Sequence, residues 1–270
     1  MNNPEPTIRI NVDVTNPGQF FACCGLLELA DRLWPGAEGW FEDGAFCVAG
    51  GGTLGELIHA ITTADIVQLD AEDDTGSPIQ IASPFRILRL DWWHDESHAD
   101  RKLNGKELKV WAGTMESTRI ALAMQHAMKD DRFRSPSLFD VGVIAYDPQD
   151  TDKKVEPYYF DARRAPNAHA RDVGFSPNDL GVTTTAFPAV EFLCLVGIQI
   201  ARALPTSRPR IYDYFTWPMA LPTNLLLAAT TGRLEVPRQR GFRFENWYRT
   251  GQKKHKAFRS AIPLNQRGDQ

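Results

Sequence analysis

The clearest pattern of apolar and polar positions lies in the first third of the chain. Residues 7–14 alternate between the two classes, which is typical of a strand with one buried face. Asn16-Pro17 then predicts the start of a helix, because Asn caps a free backbone N–H and Pro at the first position loses no hydrogen bond. The helix is expected to end at about Trp34, before Pro35-Gly36. Its predicted buried stripe is Phe20, Phe21, Cys24, Leu27 and Leu33.

A hairpin and a second helix are predicted to follow. Residues 40–49 contain Asp43-Gly44, a pair that favours the left-handed backbone of a two-residue hairpin turn. Thr53 is expected to cap a helix whose apolar positions are Leu54, Leu57, Ile58 and Ile61. The order strand, helix, hairpin, helix is compatible with a ferredoxin-like unit that lacks its final strand.

The rest of the chain alternates less regularly but still favours mixed structure. We predict a loop at 65–77, helices at 113–128 and 187–204, a mobile basic tail after Thr250, and strands at 84–92, 138–146, 157–163, 211–217, 224–229 and 241–248. A polar link is expected between the strands at 138–146 and 157–163. The fold class is therefore α+β, with antiparallel sheets and packed helices. The best boundary lies within 130–155, giving an N-terminal part (1–130) with a basic loop at 101–111 and a C-terminal part (131–270); a single domain is the alternative.

The uneven distribution of charge along the chain points to a binding partner. The net charge is −4 and 43% of the residues are hydrophobic, which excludes a disordered or uniformly basic protein. Residues 1–100 carry 4 Lys and Arg against 17 Asp and Glu, whereas residues 232–270 carry 10 against 3. An acidic front and a basic end indicate contact with a polyanion through the C-terminal segment.

The cysteines and the apolar runs bear on the cellular compartment. Cys23, Cys24, Cys47 and Cys194 lie among apolar neighbours without CxxC spacing, so buried reduced thiols are expected. The start of the sequence lacks a basic region followed by an apolar run, and the apolar run at 192–200 is too short for a bilayer. We expect a cytoplasmic protein without a membrane contact.

Patterns for catalysis are weak in this sequence. His94 and His98 are four residues apart and could share a helix face and bind a metal with one carboxylate, but the HExxH order is missing. The carboxylates of this segment include Asp95 and Asp100. The glycines before Thr53 lack the lysine of a phosphate-binding P-loop. We predict no catalytic residue, no metal and no cofactor.

Candidate nucleic-acid contacts occur in three basic segments, at 101–111, at 163–171 and from residue 238 onward. Cations near a turn or an aromatic residue can neutralise phosphates, and the aromatic ring can stack on an unpaired base. For the segment at 163–171, structural ion pairs such as Arg163–Asp161 or Arg171–Asp172 are an alternative of equal weight. The C-terminal cations alternate with Phe242, Phe244, Trp247, Tyr248 and Phe258, which favours a phosphate grip with stacking. The candidates are Arg101, Lys102, Asn104, Lys106, Lys109, Arg163, Arg164, Arg171, Arg238, Arg240, Lys253, Lys254 and Lys256.

Several short blocks together resemble a known family. They are residues 16–29 (NPGQFFACCGLLEL), 103–113 (LNGKELKVWAG), 160–164 (FDARR), 171–177 (RDVGFSP) and 188–193 (PAVEFL). The sequence resembles the Csb-type proteins of type I-U, or I-G, CRISPR systems.

The resemblance implies a non-catalytic subunit of a Cascade-like, RNA-guided surveillance complex, in the role of a short large subunit. Such a subunit would contribute to recognition of the motif that flanks the target and would hold nucleic-acid backbones, while base pairing supplies sequence specificity. The implied partners are other effector subunits, crRNA, target DNA and a recruited helicase-nuclease. A length of 270 residues is small for that role.

Two other functions remain as alternatives. The first is a metal-dependent nuclease that uses His94, Asp95, His98 and Asp100. The second is a scaffold protein whose basic tail docks an acidic partner subunit.

Overall fold

The α+β class with antiparallel sheets and packed helices is confirmed. The computed structural model describes residues 3–70, 72, 78–90, 116–167, 185–249 and 254–264. The helices are α1 (Pro17–Leu33), α2 (Leu54–Thr63), α3 (Ser117–Ala127), α4 (Pro188–Ile200) and α5 (Leu226–Thr230). The strands are β1 (Ile8–Asn11), β2 (Glu38–Glu42), β3 (Ala45–Ala49), β4 (Ile66–Gln68), β5 (Ile79–Ile81), β6 (Leu88–Leu90), β7 (Tyr146–Asp147), β8 (Asp150–Lys154), β9 (Leu204–Pro205), β10 (Ile211–Thr216), β11 (Leu221–Pro222), β12 (Arg240–Arg249), β13 (Lys254–Phe258) and β14 (Ile262–Pro263). Short 3-10 helices are Asp131–Arg134, Leu138–Asp140, Ala162–Asn167 and Thr223–Leu225.

The N-terminal sheet has the strand order β1-β3-β2-β11. β3 is antiparallel to both β1 and β2, and the hairpin turns at Asp43 and Gly44, whose φ angles are 47° and 73°. This order of the first three strands, with a helix after β1 and another after β3, is that of a ferredoxin-like unit. The fourth strand of that fold would lie beside β1, but in the described part of the chain β1 is the edge and β11 extends the sheet beside β2.

Helix α1 lies in the centre of the molecule. Asn16 caps it as predicted, since the Asn16 side-chain oxygen accepts a hydrogen bond from the N–H of Gly18 at 3.1 Å. Residues 17–30 are buried on every face, so the predicted stripe was too narrow, whereas Leu33 is only partly buried. The cause is coverage from several sides: the Phe20 ring stacks on Phe41 of β2 at 5.4 Å and on Tyr214 of β10 at 4.3 Å.

Helices α1 and α4 cross at two glycines. A Cβ atom on Gly25 would overlap the carbonyl oxygen of Leu193, and one on Gly197 would overlap the carbonyl oxygen of Phe21. Backbones approach this closely only where both side chains are absent. The contact therefore depends on glycine in both helices, which are far apart in the sequence.

The C-terminal sheet has the order β13-β12-β10-β9, with β14 also paired to β12. Residues 240–245 of β12 pair with β10, and residues 246–249 continue beyond it to pair with β13. The prediction of a mobile tail after Thr250 is wrong for β13 and β14, because Ala257 and Phe258 are buried and anchor the segment. Within the described residues after Thr250, β13 and β14 thus belong to the sheet.

Several local predictions were wrong where tertiary contacts override the pattern. The loop predicted at 65–77 includes β4, and the polar link after residue 147 forms β8. The strand predicted at 138–146 begins as a 3-10 helix. Residues 157–163 form no strand, and the last two of them belong to the 3-10 helix at 162–167. The strand predicted at 224–229 is mostly helical, with α5 packed on β10.

One hydrophobic core joins the two halves of the sequence. It contains Ile10 and Phe20 together with Leu193 and Phe244. All four cysteines are buried and free, as expected, and burial raises the pKa of the Cys24 thiol. Within the described ranges, no helix has the length and apolarity needed to cross a bilayer.

Candidate nucleic-acid interface

Arg163 lies in the 3-10 helix at 162–167, and its guanidinium is held by acidic and backbone oxygens. Nε and Nη2 donate to the two carboxylate oxygens of Asp161 at 3.0 and 2.7 Å. Nη1 donates to Asp140 at 3.0 Å, and Nη2 also donates to the carbonyl oxygen of Phe139 at 2.6 Å. The group lies 3.6 Å from the centre of the Phe187 ring. Arg163 therefore forms the structural ion pair that the sequence offered as the alternative to a phosphate contact.

A cluster of buried polar residues holds Asp161, the ion-pair partner of Arg163, in place. The fully buried Asp161 accepts a hydrogen bond from the Asn16 side-chain amide at 3.0 Å, while the Asn16 oxygen accepts from the N–H of Ala162 at 3.1 Å. Glu191, also fully buried, accepts from the N–H groups of Phe160 and Asp161 at 3.2 and 3.1 Å. Burial raises the pKa of Glu191 to about 8. We call Asn16, Asp161, Arg163 and Glu191 the core cluster.

Arg164 has a different environment from its neighbour. Its Nε is buried and, within the described part of the chain, has no hydrogen-bond partner. A buried donor without a hydrogen bond lowers the stability of the fold. The Nε atom of Arg164 therefore contributes no stabilising contact in this environment. Arg171, the third candidate of this segment, lies outside the described residues.

The middle of β12 takes part in two ion pairs, through Arg243 and Glu245. Arg243 makes a bidentate pair with Asp213 of β10 at 2.7 and 2.8 Å. Arg259 pairs with Glu245 at 3.0 Å and lies 4.6 Å from the centre of the Trp247 ring. These pairs join neighbouring segments of the sheet across its surface.

The aromatic residues between these arginines belong to the core. Phe242, Phe244 and Phe258 are 3%, 2% and 0% exposed, so their rings cannot stack on bases. Their alternation with arginine is that of a strand with one buried face and one solvent face. The stacking predicted for these three rings is therefore wrong.

Arg238 and Arg240 line a groove at the start of β12. The groove has a volume of about 450 Å³ and runs between the β2–β3 turn and the segment that follows β10. Both arginines are exposed, and neither makes an ion pair with any described residue. The guanidinium of Arg240 lies 5.6 Å from the centre of the Phe242 ring. These are the sequence candidates that the structure brings together in one cavity.

The opposite wall of the groove is acidic, which the sequence analysis did not anticipate. Glu42 and Asp43 lie at the hairpin turn, and the buried Phe41, Thr216 and Trp217 also line the groove. The sequence predicts Asp43 only as a turn residue and assigns no role to Glu42. Its role in a groove depends on a contact between segments about 200 residues apart, for which the sequence holds no local signal.

The other end of β12 forms a two-stranded ribbon with β13. Arg249 is opposite Lys254 and Tyr248 is opposite His255, after an irregularity in register at Trp247/Tyr248. The backbone of Lys256 lies in the same strand as that of Lys254, and Lys253 lies outside the described residues. Arg240 and Arg249 are thus at opposite ends of one strand, ~30 Å apart at the usual rise of a strand.

The remaining candidates belong to a segment beyond the described ranges. Residues 91–115, which contain the basic loop and the histidine segment, lie outside the described residues. In the part of the chain that is described, no group of three or more His, Cys, Asp or Glu could hold a metal ion. The residues concerned are His94, Asp95, His98, Asp100, Arg101, Lys102, Asn104, Lys106 and Lys109.

A second hollow, of about 510 Å³, was not predicted from the sequence. It is lined by His59, Thr62, Thr63, Lys129 and Arg134. Arg134 pairs with Asp131, and the hydroxyls of Thr62 and Thr63 donate to the carbonyls of their own helix. Because Arg134, Thr62 and Thr63 are engaged in this way, this hollow is a weaker candidate than the groove of Arg238 and Arg240.

Comparison of the chain with family models, curated proteins and solved structures finds no match. Any functional conclusion therefore depends on the residues themselves.

Proposed function

We propose that this protein is a non-catalytic subunit of an RNA-guided CRISPR surveillance complex. In that complex it binds the backbone of an unpaired nucleic-acid strand and contributes to recognition of the motif that flanks the target. The observation that supports this proposal is the groove in which Arg238 and Arg240 are exposed and, among the described residues, unpaired. The sequence blocks that resemble Csb-type proteins supply the cellular context.

Unpaired arginines are the groups that phosphate binding needs. A guanidinium presents a planar set of N–H donors that matches two phosphate oxygens, and it keeps its charge at every physiological pH. Arg163, Arg243 and Arg259 have these donors directed at carboxylates, whereas Arg238 and Arg240 have theirs available. These two positive charges act in a protein whose net charge is −4, so phosphate binding would be confined to the wall that carries them.

In this proposal the ribbon of β12 and β13 is a second contact, at the far end of the strand that carries Arg240. A span of ~30 Å from Arg240 to Arg249 matches a strand of several nucleotides, as in grooves that cover about 4–16 nucleotides. In this proposal Lys254 and Lys256 contact phosphates at one end and Arg238 and Arg240 at the other. The partners are crRNA or target DNA, the other effector subunits and the recruited helicase-nuclease.

The test is a salt titration of binding to a short, labelled single strand. The double variant Arg238→Ala/Arg240→Ala should lower the slope of log affinity against log salt by ~1.4, at ~0.7 for each phosphate that is no longer neutralised. The matched control is Arg86→Ala/Arg132→Ala, which removes the same charge from exposed arginines that pair with Asp31 and Asp130. The control should keep the wild-type slope.

Three results would overturn the proposal. Equal slopes for the groove variant and the wild type would show that the arginines do not contact phosphate. Salt-insensitive association with effector subunits, without nucleic acid, would indicate the scaffold. Metal-dependent cleavage that His94→Ala abolishes would indicate the nuclease.

A further inference from the structure

We propose that the groove recognises the Watson–Crick edge of an unpaired guanine through Asp43, while Arg238 and Arg240 hold the adjoining phosphate. This inference rests on the proposed function and goes beyond it, because it names the base. The ligand is a guanosine monophosphate unit, either within a strand or free in solution.

The hairpin holds Asp43 at the rim of the groove. The residue has a φ of 47° in a two-residue turn, and the N–H of Val12 donates to the carbonyl of Gly44 at 2.9 Å. The β2–β3 ladder pairs Glu42 with Ala45 on either side of the turn. Backbone hydrogen bonds thus fix the point from which the Asp43 side chain extends.

The two acids of this wall differ in availability. Glu42 accepts a hydrogen bond from Arg9 at 3.2 Å. Asp43 is exposed and has neither a hydrogen bond nor an ion pair with another described residue. Asp43 is therefore the acceptor that a ligand can reach without displacing a protein partner.

The opposite charges of the walls restrict the ligand. Phosphate suits Arg238 and Arg240 but is repelled by Asp43, so the part of the ligand near Asp43 has to offer N–H donors. An ionised carboxylate is an acceptor only and can accept two parallel hydrogen bonds. Guanine is the base with two adjacent donors on its Watson–Crick edge, N1–H and the 2-amino group. Adenine, cytosine and uracil each place an acceptor beside their donor.

The volume of the groove and the need for a free Watson–Crick edge further define the ligand. A volume of about 450 Å³ lies within the range of ~300–1,000 Å³ for sites that enclose small ligands. In a duplex the Watson–Crick edge is already paired, so the guanine has to come from a single strand. A displaced or looped strand fulfils this condition.

The decisive variant is Asp43→Asn. Asn tolerates the left-handed backbone, and Asn-Gly is a favoured hairpin turn, so the variant keeps the fold. Its amide places a donor where the carboxylate had an acceptor. Xanthine carries a carbonyl in place of the 2-amino group of guanine. Its N1–H donor and this carbonyl acceptor therefore match the oxygen and the amide of Asn, as the two donors of guanine match the carboxylate of Asp.

The matched control is Asp130→Asn, which removes the same charge from an exposed turn outside the groove.

The measurement compares strands that differ only in one central base. Wild-type protein should prefer guanine over adenine by roughly 5- to 150-fold, the range for one bidentate base contact. Asp43→Asn should lose this preference and bind xanthine better than guanine, while Asp130→Asn should behave as wild type. Arg238→Ala/Arg240→Ala should weaken binding to all four bases alike.

Other outcomes separate the two proposals. Equal affinity for guanine and adenine, with salt-dependent binding retained, overturns the guanine site and leaves the proposed function intact. Binding of free guanosine monophosphate with the same Asp43→Asn switch, but no binding of strands, supports the guanine site and overturns the proposed function. Failure of both ligands to bind overturns both proposals.

Discussion

The core cluster and the groove are two polar sites that differ in how far the fold satisfies their hydrogen bonds. In the core cluster, Asp161 and Glu191 are fully buried and each accepts hydrogen bonds from the chain around them. In the groove, Arg238, Arg240 and Asp43 are exposed and lack ion-pair partners among the described residues. The difference teaches that a polar residue shapes the stability of the fold where its hydrogen bonds are made inside the protein, and is available for binding where they are not.

The largest expected effect concerns Glu191 and pH. Its folded pKa of about 8 exceeds the usual value of 4.5, so the folded state binds the proton more tightly than the unfolded state. The stabilisation is therefore complete below about pH 4.5 and is lost as the pH rises through 8. The free energy of unfolding should fall by ~3–5 kcal/mol across this window, at ~1.4 kcal/mol per pKa unit.

Denaturant unfolding of the wild type and Glu191→Gln at several pH values tests this expectation. Gln cannot ionise, so the variant should lack most of the pH dependence. Its absolute stability is a poor readout, because both carboxylate oxygens accept N–H groups and the Gln amide nitrogen cannot. An unchanged pH slope in the variant would contradict the assignment.

The next effect comes from two Asp-x-Arg pairs that share one sequence spacing. Arg163→Ala leaves the buried carboxylate of Asp161 without its main partner and should destabilise the fold by ~2–3 kcal/mol. Arg132→Ala removes the same kind of pair from the exposed Asp130 and should leave the free energy of unfolding nearly unchanged, because solvent screens an exposed ion pair. Chemical denaturation of both variants makes the comparison, and equal losses would refute the role of burial.

A smaller effect is expected at the ribbon. Replacing Lys253, Lys254 and Lys256 by Ala should weaken binding to every strand alike and reduce the salt slope by ~0.7 for each phosphate that these lysines neutralise. Asn104 and Lys106 are the contrasting sites, because Asn can pair with an adenine edge and Lys with a guanine edge. Variants there should alter the preference among bases, with ~1–3 kcal/mol lost for each base contact. Retention of the wild-type slope in the triple variant would favour a protein-docking role for the ribbon.

The smallest effect is the stability of the groove variant. Arg238→Ala/Arg240→Ala removes two arginines that have no ion-pair partner among the described residues, so the free energy of unfolding should change by less than ~0.5 kcal/mol. Thermal unfolding without nucleic acid provides the measurement. A loss as large as that of Arg163→Ala would erase the distinction between the two sites.

Sequence reasoning succeeded where the determining interactions are local. Asn16, Asp43-Gly44 and Thr53 act on backbone groups within three residues, and the helix starts and the turn were predicted correctly. It failed where partners are distant. Nothing local distinguishes Arg243, whose acid partner is 30 positions away on a neighbouring strand, from the unengaged Arg240.

The same reason explains the incomplete account of the candidate site. Arg238 and Arg240 were found from their charge, but Asp43 was recognised only as a turn residue. The groove exists because the hairpin and the start of β12 meet in space. That meeting depends on the packing of α1 and Trp217, which no window of the sequence reveals.

The glycine crossing of α1 and α4 has a consequence for the order of folding. Helix α1 leaves the ribosome before α4 and β10, which complete its surface and begin about 170 and 190 residues later. A chain whose contacts are this distant folds slowly, since loop closure precedes any gain from packing. During synthesis the apolar faces of α1 would remain uncovered until α4 and β10 have emerged, a period in which chaperone binding would protect it from aggregation.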